Sequence, residues 1–405
     1  VLRESASSSC MTATERNDGV SVDSTDAVQP SMSDRWFAWR NRKLADPRFH
    51  RWARRSPLTR YIARRRAREL FDLCAGFVYS QVLSSCVELS LFDLLEDGPL
   101  NRDAIGRKVG LDREALDVLL RSAISLKLLE QRPSGKIGLG VHGAAMLANP
   151  GVSSMVQHHA FFYRDLNDPV ALLRGNNDKT LLSMFWDYSN GHAADPGKQP
   201  YTELMSASQA MVAEQIIESY PLRAHQRLVD VGGGDGTFLR AVGKSAPDLD
   251  LVLFDLPAVV ARAEAGGAAA GIAQRDTAQL DGAQRIERIG GDMFKDALPG
   301  GADIVSLIRV VHDHDDDEVL QLLGRCRAAL PQGGTLLLAE PMAVERVGDP
   351  ASDAYFGLYL HAMGRGKPRT PNELKALLSR AGFERANEVR THLPMLVRML
   401  VARAS

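Results

Sequence analysis

Cysteine is scarce: Cys10, Cys74, Cys86 and Cys326 serve 405 residues and show no metal-ligand spacing. That excludes a disulfide scaffold or a zinc module, and the four read as thiols of a reducing compartment. Cys74 and Cys86 lie on apolar stretches, where a small hydrophobe is expected. Long apolar runs are missing as well, since no segment approaches the roughly 18 uninterrupted apolar residues looked for in a membrane span. Charge of one sign is not in excess, because 49 Lys and Arg face 50 Asp and Glu, a net −1. Compositional bias is also absent: 45% hydrophobic and 24% charged residues exclude a wholly disordered, collagen-like or coiled-coil chain. The length allows two or three domains of roughly 100 to 200 residues each.

The neutral sum conceals a segregation. From Asp34 to Glu69 there are 13 basic residues against Asp34, Asp46 and Glu69, so this stretch carries +10 and the remainder −11. Trp36, Phe37, Trp39, Phe49, Trp52 and Tyr61 are interleaved with the bases, including three of the four tryptophans. Cations and indoles together suit an anionic lipid surface. A basic arm packed on the acidic remainder of a dimer and a nucleic-acid contact fit the same charge run. Ahead of it, residues 1–33 are polar and Ser/Thr-rich with no apolar core of a signal peptide, and are expected to be a disordered tail, with Met11 a candidate start.

Apolar residues at three- and four-residue spacing predict a helix over Arg64 to Leu95, with more apolar surface than one face needs. Two shorter helices are expected over Arg102 to Val109 and Arg113 to Leu126. Strands follow at Leu128 to Arg132 and Lys136 to Gly140, a winged-helix order. The second helix opens on Asp112, Glu114 and Asp117 against Arg113, which is unsuited to facing phosphates. Residues 144–226 read as helical, with His158, His159, Phe161, Phe162, Tyr163, Phe185, Trp186 and Tyr188 fitting either a pocket lining or an ordinary core.

From Arg227 strands and helices alternate, as in a doubly wound parallel sheet. The strand Arg227 to Val231 runs into Gly232-Gly233-Gly234-Asp235-Gly236 and a helix opening at Thr237. Such a turn lets a ligand approach the backbone. The third glycine of a dinucleotide fingerprint would fall at Thr237, which counts against a nicotinamide enzyme. Further strands end at Asp255 and, after Ile286 to Ile289, at Asp292-Met293-Phe294, so three successive strand ends offer polar groups where such sheets bind ligands.

A strand predicted over Ile304 to Val311 delivers His312-Asp313-His314-Asp315-Asp316. The alternating His312, His314 and Asp316 begin a metal cluster, but Asp317 stands where its last histidine would be, so no metal is expected. His312, the first residue past that strand, reads instead as a general base. Glu340, following Gly334 to Ala339 on the next strand, can accept the hydrogen of the far imidazole nitrogen and fix the tautomer. Thr370-Pro371-Asn372-Glu373 forms a capping box for a helix to Ala381. Glu384 to Val389 and Met395 to Ala402 then form a final antiparallel pair.

Together, Leu228-Val229-Asp230-Val231-Gly232-Gly233-Gly234, Asp255-Leu256-Pro257, Gly291-Asp292-Met293-Phe294, His312-Asp313 and Leu338-Ala339-Glu340-Pro341 resemble the caffeate and polyketide O-methyltransferase family over roughly residues 70 to 405. The resemblance implies an α/β Rossmann-like methyltransferase domain, its doubly wound sheet carrying an antiparallel edge strand, behind a helical winged-helix dimerisation domain. It implies a homodimer and S-adenosylmethionine as donor, held by Gly232, Gly234, Asp255, Asp292 and Met293, with His312 as base and Glu340 as its orienter. Three positions depart from the family pattern: His314 replaces an aromatic, Ile308 a lysine, and Pro368 a second orienting glutamate. Residues 60–79, Asp353 to Tyr359 and Ala362 to Arg369 are similar to the enzymes of purple photosynthetic bacteria that methylate the tertiary 1-hydroxyl of acyclic carotenoids, demethylspheroidene and hydroxyneurosporene.

The expected division is a tail (1–33), a basic aromatic arm (34–69), a winged-helix-like dimerisation domain (70–150), a helical linker and pocket region (151–226) including Met205, and the catalytic domain (227–405). The likeness implies a hydroxylated carotenoid as substrate and no nucleic acid. It also implies a cytoplasmic enzyme meeting an anionic photosynthetic membrane through the arm. A phenolic or polyketide acceptor is the first alternative, and a winged-helix regulator with a ligand-sensing methyltransferase domain is the second.

Overall fold

The computed structural model describes residues 31–175, 179–184, 199–261, 263, 286–345 and 348–405. The expected tail up to residue 30, with Cys10 and Met11, lies outside the described residues, as do Phe185, Trp186, Tyr188 and the side chain of Met205. Two compact units meet in sequence at Phe77 and Val78.

The first unit is helical. Ser31 and Asp34 form a capping box that starts α1 (Met32–Ala45). Asp46 ends α1 and caps α2 (Pro47–Arg55), accepting a hydrogen bond from the Arg48 amide at 2.7 Å, with Pro47 in the first turn. Helix α3 (Arg60–Glu88) begins four residues ahead of the expected Arg64 and runs on into the second unit. Leu70, Phe71, Leu73, Phe77 and Val78 along it are exposed. By length and composition α3 could cross a bilayer, and 11% of its apolar window is buried. A search for an unbroken apolar run misses this, because Asp72 and scattered small polar residues interrupt the run without cancelling its mean hydropathy.

Past the end of α3 and a single helical turn at Leu91–Leu94, the second unit holds α4 (Arg102–Val109) and α5 (Arg113–Ser125), joined through Gly110 at φ 71°. Strands β1 (Leu129–Gln131) and β2 (Ile137–Leu139) pair antiparallel, shorter than expected, and Leu100 bridges to Ile137. Ile105, Leu116, Leu120, Leu129 and Ile137 bury one core with Leu91 and Phe92. Of the acids opening α5, Asp112 caps the Ala115 amide at 2.8 Å and Asp117 pairs with Arg102, so they serve the fold locally. Helices α6 (Val141–Ala148), α7 (Pro150–Asp165) and α8 (Gln199–Ser219) lead on to the sheet. Phe162 sits in a cluster with Leu172, Leu182, Leu360 and Met363, which is core packing.

The sheet comprises β3 (Arg227–Val231), β4 (Asp250–Asp255), β5 (Glu287–Gly290), β6 (Ile304–Ile308), β7 (Thr335–Glu340), β8 (Phe383–Val389) and β9 (Arg398–Ala404). Its order is β5-β4-β3-β6-β7-β9-β8. The first five in that order run parallel, and β9 lies antiparallel between β7 and the outermost β8. Successive residues face opposite layers: Val229 and Val231 join one core, Leu228 and Leu337 the other. Coverage on both faces explains the nearly unbroken apolar strands, each fully buried Leu or Val contributing roughly 1.5–3 kcal/mol. Around the sheet stand α9 (Thr237–Ser245), α10 (Asp316–Ala329), a π-helical turn (Pro350–Phe356) running into α11 (Gly357–Met363), and α12 (Pro371–Arg380). Thr370 and Glu373 form the expected capping box of α12.

The last strand expected at Met395 to Ala402 lies at Arg398–Ala404, and the expected end of β6 also needs correction. Strand β6 stops at Ile308 and not at Val311. Arg309 takes a left-handed φ of 57°, turning the chain out of the sheet, and Val311–Asp313 form a 3-10 turn. Val310 and Val311 are buried in the core below that turn, so their apolarity reflects burial and not strand pairing.

Candidate active site

Because β3, β4, β5, β6 and β7 are parallel, their carboxyl ends share one edge, where such sheets take ligands. Gly232 extends the β3 ladder, its amide donating to Phe254 O at 2.8 Å, while its φ of 71° sends the chain out of the strand. A Cβ there would lie 2.9 Å from Val310 Cγ2. At Gly233 it would meet Asp230 Oδ2 at 2.4 Å. Above Gly234, at φ 62°, a Cβ would find nothing within 4 Å, so the loop leaves open space over its backbone. The Gly234 amide donates to Asp255 Oδ2 at 2.8 Å, tying the tip of β4 to the loop. A close, open glycine turn with a carboxylate at its side fits the amino-acid end and ribose of a nucleoside donor.

Past β5, Asp292 is half-buried, accepts from the Phe294 amide at 2.9 Å and pairs with Lys295 at 2.8 Å. The Lys295 hydrogen bond holds its carboxyl below the usual range. Met293 and Phe294 pack against the core, and Gly291 leaves no room for a side chain beside Phe254. These residues therefore line one side of the same edge.

His312 is buried in the 3-10 turn, and Glu340, the last residue of β7, is fully buried beside it. Glu340 Oε2 accepts from the His312 backbone amide at 3.0 Å and lies 3.5 Å from Nδ1. Asp313, not singled out from the sequence, puts Oδ1 3.2 Å from the other ring nitrogen, Nε2. Burial works against the imidazolium, but the charges of Asp313 and Glu340 outweigh it and the opposing Arg309, holding His312 above the usual histidine value. As a base His312 must be neutral, so the acid limb of the rate profile is raised with it. Asp313→Asn removes the strongest of the raising charges, and the limb of kcat against pH should shift to lower pH.

Further residues complete this edge. Arg309 donates to Ser208 Oγ on α8 at 2.9 Å. Asp230, fully buried, accepts from Ser306 Oγ at 2.6 Å, and burial pushes its carboxyl up to about 7. Arg369 is fully buried behind the His312 turn. Its Nε donates to Asp316 Oδ1 at 2.7 Å, and its two terminal nitrogens donate to Val311 O at 3.0 Å and His314 O at 2.7 Å, one carbonyl on each side of His312. The Lys367 amide donates to His312 O at 3.0 Å, and a Cβ on Gly366 would stand 2.1 Å from that oxygen. The departure at Pro368 is thus flanked by residues that grip the backbone of the turn. His314 meets Phe294 edge-on at 4.9 Å, taking the packing role of the absent aromatic, and faces Glu318 at 3.2 Å. Asp316 faces Lys367 and Arg369, so His312, His314 and Asp316 do not converge on a common centre.

His158 Nε2 lies 2.7 Å from the Tyr359 hydroxyl, and His159 Nε2 lies 2.7 Å from that of Tyr355. These pairs join α7 to the π-helical turn and α11. Burial pushes His158 down to about 4, keeping it neutral.

An O-methyltransferase domain profile matches residues 163–384, and an O-methyltransferase dimerisation domain profile matches residues 71–153. A demethylspheroidene O-methyltransferase of Cereibacter sphaeroides is 43% identical over 83% of this chain and 86% of its own. Its namesake in Rhodobacter capsulatus is 39% identical over 88% and 86%. The crystal structure of human N-acetylserotonin methyltransferase in complex with S-adenosylmethionine superposes with a TM-score of 0.67 at 25% identity, covering 84% of this chain and 97% of that one.

Proposed function

Because the chain belongs to the S-adenosylmethionine-dependent O-methyltransferase family and carries its dimerisation domain, which implies a homodimer, we propose that it methylates the tertiary 1-hydroxyl of acyclic hydroxycarotenoids. The observation that carries this is the pair of demethylspheroidene O-methyltransferases, 43% and 39% identical over most of the chain. The domain division is proposed as the sequence reading has it, with residues 227–405 catalytic.

The bound donor supplies a methyl group on a sulfonium. Gly232, Gly234, Asp255, Asp292 and Met293 hold it along the strand ends. Positioning accounts for much of the rate, since holding two reactants in line removes the entropic cost of their encounter. A tertiary alcohol is far less acidic than a phenol of pKa about 10, so His312 does not ionise it beforehand. His312 would instead take the hydroxyl proton on Nε2 in concert with methylation of that oxygen. Glu340 beside Nδ1 and Asp313 beside Nε2 stabilise the resulting imidazolium.

A phenolic acceptor is the competing reading, favoured by the 29% identity over 78% of the chain to the acetylserotonin O-methyltransferase of Mus musculus. Purified protein with labelled donor, offered hydroxycarotenoids in lipid and a phenolic panel, decides between them. Transfer to phenols alone would overturn the carotenoid assignment. A carotenoid acceptor dissolves in lipid, so the enzyme works at a membrane surface, which it meets through residues 34–69.

A further inference from the structure

On α2, Arg48, Arg51 and Arg55 recur at spacings of three and four, which stacks them on one face, with Trp52 on the same side. With Ser56 they line a surface depression of about 440 Å³. All three arginines are exposed, and their guanidinium groups have no hydrogen bond or ion pair among the described residues. Some arginines of the second unit are matched, Arg102 to Asp117, Arg227 to Glu287 and Arg398 to Glu388, while the α2 set is distinguished by three on one helix face beside an exposed indole. The opposite side of α2 holds the helix in place, with Ala53 buried and Phe49 half-buried. Trp52, 56% exposed, leans on Phe49 at 5.7 Å.

We propose that this face of α2 is a phosphate-binding site for the headgroups of an anionic phospholipid bilayer. The inference deepens the reading of residues 34–69 as membrane-facing and rests on it. Three unmatched guanidinium groups around one depression suit a phosphodiester, which they can approach with paired N–H donors. Next to them the indole of Trp52 lies at headgroup depth. Trp36 and Trp39 on α1, together with Leu58, Tyr61 and Ile62, add exposed apolar surface around the charge. Aliphatic Leu58 and Ile62 serve no purpose in stacking on bases, whereas the headgroup–acyl boundary accommodates them. A purely acidic protein surface would match the arginines, but the exposed aliphatic and indole side chains beside them call for an apolar layer next to the anionic one, which a bilayer supplies.

The test is flotation of the full-length protein with vesicles of phosphatidylcholine, with and without phosphatidylglycerol, at low and high salt. Wild type should float with the anionic vesicles and be released by salt. Arg48→Ala/Arg51→Ala/Arg55→Ala should weaken partitioning about 100-fold at low salt, at the usual increment per basic residue near an anionic surface. An unchanged melting temperature and undiminished methyl transfer to acceptor dispersed in detergent would show the variant folded. Arg64→Ala/Arg66→Ala on α3 serves as the control. If the control loses binding and the α2 triple variant does not, the α2 site is wrong while the arm still faces lipid. If wild type ignores phosphatidylglycerol, the membrane reading itself falls. Preference for duplex DNA or single-stranded RNA over the vesicles, in direct competition, overturns both.

Discussion

His312→Ala is expected to lower kcat by about 100- to 10,000-fold, the range over which a positioned general base acts. Donor affinity, read by calorimetry, should hardly change, because the groups assigned to the donor lie at or just past the ends of β3, β4 and β5 while His312 stands beyond β6. A residue that merely props up the sheet edge would disturb both. Removing the imidazole also leaves Glu340 buried at the end of β7 with the His312 amide as a remaining donor. Some loss of thermal stability therefore accompanies the loss of rate, and kcat must be measured well below the variant's Tm. A near-normal kcat in the folded variant would dismiss His312 as the base.

Arg369→Met should be the second most damaging substitution, for a different reason. The guanidinium satisfies Val311 O and His314 O and pairs with Asp316. Without it His314 O loses its donor and Val311 O keeps only the 3.3 Å bond from the His314 amide, while Asp316, 48% exposed at its side chain, can turn to water. Removing one partner of a buried ion pair costs about 3–5 kcal/mol, and the escape open to Asp316 puts this case near 3 kcal/mol. The turn that carries His312 would loosen at both ends, and a displacement of 1 Å at a reacting group costs about 100-fold in rate. Arg369→Lys separates the two effects. An ammonium can still reach Asp316, but it cannot span both carbonyls as the planar fork does. Urea unfolding should show part of the stability restored, whereas kcat stays low. Full recovery of kcat by lysine would reduce Arg369 to a charge.

The elements that positioned the cofactor edge were readable because their signals are local. The β3–glycine–α9 turn, the acidic tips of β4 and β5, and the Thr370–Glu373 capping box each occupy a few consecutive residues whose backbone demands are distinctive. What escaped was decided at long range. In Gly364-Arg365-Gly366-Lys367-Pro368-Arg369 the last arginine looks like one more solvated loop cation, yet its partners arrive from 53 to 58 positions earlier. The hydroxyls facing His158 and His159 come from about 200 residues away, which no periodicity records. Asp313 follows His312 directly, yet sequence spacing cannot say that its carboxylate turns back to Nε2. At the end of β6 the apolar pair Val310 and Val311 reads as strand, since burial in a turn and burial in a sheet leave the same composition. The left-handed Arg309 that separates them carries no sequence mark, being neither glycine nor asparagine.

The apolar flank of α3, with Leu70, Phe71, Leu73, Phe77 and Val78 facing outward, makes dilution a chemical variable for this enzyme. The dimerisation domain match begins at residue 71, and where a second copy covers that flank the two chains share its stability. Every dissociation event then re-wets these side chains, and the free energy of folding becomes tied through mass action to the number of molecules in solution. A sparse cell would hold a less durable catalyst than a crowded one, even with identical sequences. Expression level, in that sense, is part of the protein's own stability.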